Sequence, residues 1–142
     1  MLGIAASAIL FALMCLTFVD VVARYLLNRP IRGAFELTEL LLLVLIFAGL
    51  PLVSHADEHV TMDFIDRLLT AQGRIFLNRI MNLAVAGLMF FMAWQVWIKA
   101  GRISGYGDTT DVLRILYGPF VYFMAAMVAL AGAIHVAKIF QK

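Results

Sequence analysis

Four uncharged apolar runs constrain this chain more than any other feature. They are Leu2–Val19 (18 residues), Leu40–Ser54 (15), Ile80–Ile98 (19) and Ile115–Ala137 (23). A helix crossing a bilayer needs roughly 20 mostly apolar residues, with about 17–25 tolerated. Three runs meet that length outright. The second meets it only if its helix begins near Ala34 and takes in Glu36 and Glu39, so two carboxylates are placed at the head of a span. Charged residues make up 14% of the chain and hydrophobic ones 64%, against about 25% charge in soluble domains.

The expected fold class is an all-α membrane protein of four transmembrane helices, in a single integral membrane domain over 1–142. The helices are expected at about 2–27, 34–54, 75–98 and 114–138. Helix 1 should stop at Asn28-Arg29-Pro30, because proline lacks an N–H and restricts the residue before it. The longest polar connection, His55 to Arg79, has 25 residues and is too short for a core of its own. Within it, Val60, Phe64, Ile65, Leu68 and Leu69 fall on one face, with His59, Asp63, Asp66 and Arg67 on the other. That pattern predicts a short amphipathic helix lying in the membrane interface at about 58–71. Gly101 to Asp111 is rich in glycine and predicts a turn-forming loop. Ala125, Ala129 and Ala133 form a small-residue stripe suited to close helix packing.

Leu2–Val19 lacks the basic flank and cleavage site of a signal peptide. A charge of +2 is too small to argue for a nucleic-acid partner. Charge bias sets no orientation either, with six Lys/Arg on one side and five on the other.

The candidate functional residues are polar groups near span ends. Asp20 and Arg24 are spaced for a helical ion pair with the acid first. Glu36 and Glu39 occupy the first turns of helix 2, where the helix dipole favours anions, with Arg29 and Arg32 close enough in sequence to pair with them. A coupling carboxylate is usually held near the bilayer midplane beside a broken helix, so this position favours an anchoring role. His55 and His59 have metal-ligand spacing but no second ligand cluster beside them. His135, inside the last span, is a conceivable haem ligand. There is no catalytic triad, phosphate loop or cysteine cluster, so an enzyme is not expected, nor is a resident cofactor. Besides a subunit of a larger assembly, two other classes are open. One is a small stand-alone proton-coupled exporter, and the other is a haem-binding anchor of a respiratory complex.

The series Asp20-Val21, Arg24-Tyr25, Asn28, Pro30, Glu36 and Glu39, followed by Glu58-His59-Val60 and Asp63, resembles the small DctQ-type membrane subunit of tripartite ATP-independent periplasmic (TRAP) transporters. Thr109-Thr110 through Leu113 to Pro119 and Tyr122 is similar to that family's approach to helix 4. The likeness runs along nearly the whole chain. It departs where the family often has tryptophan before the acidic pair, since this chain has Phe35. It departs again at the N-terminus, where helix 1 begins almost at once.

The resemblance implies a scaffold that braces a large membrane subunit carrying the substrate and sodium sites. A periplasmic binding protein would deliver an organic acid anion to it. It also implies a bacterial inner-membrane location with both termini cytoplasmic, and contact with membrane lipids. On that reading the subunit-contact and structural residues are Asp20, Arg24, Tyr25, Arg29, Arg32, Glu36, Glu39, His59 and Asp63.

Overall fold

A computed structural model of the chain describes residues 2–55 and 71–140. Four helices make up almost all of it: α1 (Leu2–Leu26), α2 (Ala34–His55), α3 (Ala71–Tyr106) and α4 (Gly118–Phe140). Each contains a stretch long and apolar enough to cross a membrane: Gly3–Leu26, Ala34–Ser54, Arg79–Tyr106 and Gly118–Ile139. The expected interfacial helix over 58–71 lies almost wholly outside the described residues, as do His59 and Asp63.

Local chemistry sets the helix ends. At the end of α1 the N–H of Arg29 reaches back to Ala23 O (3.2 Å), and Asn28 takes a left-handed conformation at φ 52°. Asparagine is one of the few residues that does this readily. Gly33, at φ +79°, precedes α2 and accepts the Leu37 N–H at 3.0 Å. α4 opens on Gly118-Pro119, where proline's missing N–H costs nothing in the first turn.

The helix α3 runs further than the sequence suggests. The segment Gly101 to Tyr106, expected as loop, continues the helix, which stops only at Gly107. There the Asp108 N–H bonds to Ile103 O and the Gly107 N–H to Ser104 O, both at 3.3 Å, with Gly107 at φ +68°. This is a Schellman end, which asks one residue for a left-handed backbone. Gly101 and Gly105 are not turn residues at all. Gly101 faces the Tyr122 hydroxyl, where a Cβ would stand at an ordinary 3.6 Å, so a larger residue would also fit there.

The packing order follows from small residues. α4 packs most extensively on α3 and next on α2, while α1 packs chiefly on α2. On α3 the buried positions recur every seventh residue, at Ala86, Ala93 and Ala100. Small side chains at that repeat let two helix backbones approach in lipid, where dispersion replaces the hydrophobic drive. The buried line on α4 is Ala125, Val128, Ala131, Gly132 and His135. The stripe Ala125, Ala129, Ala133 is therefore not the contact, since Ala133 is exposed. A period of 3.6 carries an i, i+4 stripe off the seam, whereas i, i+3, i+7 stays on it. Pro51 is fully buried inside α2, which continues past it to His55.

Candidate functional site: a carboxylate held by the α3–α4 loop

The polar centre of the molecule is at the bundle end where α1 meets α2 and α3 meets α4. The 107–117 connection folds into a closed loop. Thr109 and Leu116 pair as an isolated antiparallel bridge. Around them Thr110 N–H donates to Ile115 O (3.0 Å) and Tyr117 N–H to Asp108 O (3.1 Å). The Ile115 N–H donates to Thr110 Oγ1 at 3.0 Å, and Arg114 turns the chain at φ 53°. The tip, Asp111 to Leu113, is left with backbone N–H groups facing one way. Such convergent amides form an anion-binding concavity.

Glu36 supplies the anion. Its Oε1 accepts the Val112 N–H at 2.6 Å and its Oε2 accepts the Leu113 N–H at 2.9 Å. The Asp111 N–H and the Thr110 hydroxyl lie beside this carboxylate and add to the same positive surroundings. Glu36 is 8% exposed and Thr110 2%. The carboxylate therefore sits in the first turn of α2, where the dipole favours it, and is ringed by donors from a loop 76 residues away. Hydrogen bonds to an ionised acceptor are about twice as strong as neutral ones. The result is a tie between the start of α2 and the α3–α4 connection.

Steric fit reinforces the tie. A Cβ added at Gly33 would stand 2.7 and 2.8 Å from the two Leu113 methyl carbons. Leu113 thus rests on the bare backbone of Gly33 while its N–H is bound to Glu36. Gly33 is required both for its positive φ and for this contact.

A second tie closes the α1–α2 connection. Asp20 Oδ2 pairs with Arg24 Nη2 at 2.8 Å, and Asp20 Oδ1 accepts the Ile31 N–H at 3.0 Å. The i, i+4 spacing foretold the ion pair; the loop amide is an addition that only the folded chain reveals. Arg29 and Arg32 are exposed, and among the described residues no ion pair joins either to Glu36 or Glu39. The expected arginine pairing is thus replaced by backbone amides, which already satisfy the Glu36 oxygens. Glu39 is exposed, and Tyr25 is 81% exposed.

Beside this site, Tyr117 is pushed above the ordinary tyrosine range. Burial is the largest cause, followed by the charges of Glu39, Glu36 and Asp111.

Deeper between α3 and α4, His135 is fully buried, with Nδ1 3.0 Å from Asn82 Oδ1. This contact makes His135 a helix-to-helix polar link, the kind of bond that joins transmembrane helices. Among the described residues no three of His, Cys, Asp and Glu come together as a metal-ligand set.

Residues 13–142 match the model for the DctQ component of tripartite ATP-independent periplasmic transporters. The chain belongs to the DctQ family. A search of curated proteins found no match to the sequence. As a DctQ component the chain is a small, non-enzymatic membrane part of a TRAP transporter, implied to act with the other TRAP components. Membership displaces the stand-alone exporter and haem-anchor readings.

Sequence reasoning singled out Glu36 but missed its partners. Thr110 and Leu113 stood out only through the family resemblance, with no role attached. No local pattern marks a backbone amide as the ligand of a side chain in a distant helix.

Proposed function

We propose that this DctQ chain is a scaffold that braces the large membrane subunit of its TRAP transporter and takes no direct part in ion coupling. The large subunit carries the substrate and ion sites. The uptake it performs is driven by an ion gradient, with sodium as the coupling ion and an organic acid anion as cargo from a periplasmic binding protein. The observation that carries this reading is the Glu36 carboxylate, which is enclosed by Val112, Leu113 and Thr110. A carboxylate that shuttles an ion must exchange partners and open to water, whereas this one is committed to a structural ring.

The outward groups of the same end, Tyr25, Arg29, Arg32 and Glu39, supply the contact with the large subunit. Asp20, Arg24 and Glu36 keep the connections that display them in place. The 27–33 and 107–117 connections face the periplasm, and both termini lie in the cytoplasm of a bacterial inner membrane. His59 and Asp63 are assigned to the opposite, cytoplasmic side as structural contacts.

The decisive experiment replaces Glu36 and Glu39 with glutamine in the complete transporter. Reduced co-purification of the large subunit, with proportional loss of uptake and unchanged ion stoichiometry, is the expected result. Full assembly with uptake uncoupled from the ion gradient would overturn the scaffold role. Cysteine placed at Arg29 should react with an impermeant maleimide added from the periplasm; labelling only after membrane disruption would invert the proposed orientation.

A further inference from the structure

The outer face of the last two turns of α3 forms an open groove of about 520 Å³. Its lining includes Lys99 and Arg102, flanked round the helix by Ile98 and Ile103, with Tyr106 and Asp108 toward the helix end. Lys99 and Arg102 are both exposed, and among the described residues neither makes an ion pair. Two cations one helical turn apart thus have no ion-pair partner among the described residues.

Helix geometry shows that α4 does not cover this face. Ala100 is fully buried, Gly101 lies against the Tyr122 hydroxyl, and Ser104 lies against Gly118. At about 100° per residue, Lys99, Arg102 and Tyr106 fall about 180° round the helix from that contact. Gln95, Phe91 and Leu88 continue the same outer face toward the middle of the span. Phe91 is 62% and Leu88 60% exposed.

Depth is set by composition. The α3 span covers Arg79–Tyr106, and its 28 residues outrun the roughly 30 Å hydrocarbon layer at about 1.5 Å per residue. Trp94 and Trp97, both exposed, mark the belt where tryptophan sits at the membrane–water boundary. Lys99 and Arg102 therefore stand at headgroup level, with an acid just above them and an exposed apolar strip below. That order of chemistry matches a single amphipathic molecule.

We propose that this groove binds a membrane phospholipid with a phosphoethanolamine headgroup. Lys99 and Arg102 hold the phosphodiester, Asp108 accepts the ammonium, and an acyl chain lies along Phe91 and Leu88. A phosphate between the two cations provides the missing counter-charge, and the Asp108 carboxylate selects a zwitterionic head over a purely anionic one. Nothing in this site depends on the scaffold role, because every residue belongs to one helix and its cap.

Native mass spectrometry of the full chain, released from micelles doped with phosphatidylethanolamine or phosphatidylglycerol, tests it. A retained phosphatidylethanolamine adduct is expected, and Lys99→Ala with Arg102→Ala should weaken it by about tenfold or more. The exchanged pair Lys99→Arg with Arg102→Lys should keep it. Asp108→Asn should lower phosphatidylethanolamine binding while leaving phosphatidylglycerol binding unchanged. The proposal is overturned if the double alanine variant binds as well as the parent, or if inorganic phosphate displaces the lipid. It is equally overturned if a photo-crosslinker at Ile98 in native membranes captures protein and no lipid. Equal loss of both lipids in Asp108→Asn would refute the ethanolamine assignment.

Discussion

Replacing Gly33 with alanine tests the tie between the two connections most directly. Gly33 has φ +79°, and a left-handed backbone costs a residue with a Cβ about 1–2 kcal/mol. The new methyl would also fall among the Leu113 side-chain carbons, with the two methyl carbons at 2.7 and 2.8 Å. Relieving such overpacking costs about 1–3 kcal/mol. The sum is a destabilisation of about 2–5 kcal/mol. Leu113 is 41% exposed, so part of this crowding is relieved by rotating its side chain, which places the effect toward the lower end of that range. The N–H bond from Leu113 to Glu36 Oε2 at 2.9 Å involves only the backbone and survives such a rotation.

The assay is unfolding of the purified chain in mixed micelles titrated with a denaturing detergent, followed by Trp94 and Trp97 fluorescence. The informative comparison is the double variant Gly33→Ala with Leu113→Ala. Cutting Leu113 back removes the obstruction but leaves the backbone strain. The double variant should therefore be more stable than the sum of the single effects predicts, by about 1–3 kcal/mol. Strict additivity, or a neutral Gly33→Ala, would refute the argument that Leu113 rests on this glycine.

Other outcomes follow from the same geometry. Glu36→Gln should speed hydrogen exchange at the Val112 and Leu113 amides, read by deuterium uptake of the 107–117 peptide, whereas Glu39→Gln should leave that peptide unchanged. Asn82→Leu and His135→Leu should be non-additive in the same unfolding assay, with a coupling of about 0.5–2 kcal/mol, because each single change strands a polar group in the α3–α4 seam. Asp20→Ala removes both the Arg24 pair and the Ile31 amide acceptor, and should cost about 1 kcal/mol while leaving the helices intact by circular dichroism. The raised Tyr117 phenol keeps its proton when an unfolded chain would lose it. Its contribution is constant below the ordinary tyrosine value of about 10 and is lost as pH rises from there through the folded value. Tyr117→Phe should flatten the alkaline end of the stability profile, and Glu39→Gln should bring the phenol back toward its ordinary range.

Legibility followed the range of each interaction. Four spans could be read off the chain because transfer into lipid depends on the apolar content of about 20 consecutive residues, whatever surrounds them. The Asp20–Arg24 pair was equally local, one helical turn apart. The extension of α3 through Gly101–Tyr106 was not, since glycine raises the cost of a helix without forbidding it. The extra turns pack Ser104 tightly on Gly118 of α4, and that contact offsets the glycine cost.

Glu36 shows the division most clearly. Its charge, its place in the first turn of α2 and its unsuitability for a midplane ion site all follow from the sequence. Its partner does not. The nearest cations along the chain, Arg29 and Arg32, were the reasonable choice from spacing, yet the carboxylate took the amides of Val112 and Leu113. Only the packing of α4 against both α2 and α3 brings that loop to the head of α2. A backbone N–H is present at nearly every residue, so no side-chain pattern announces which ones a fold will gather round a charge.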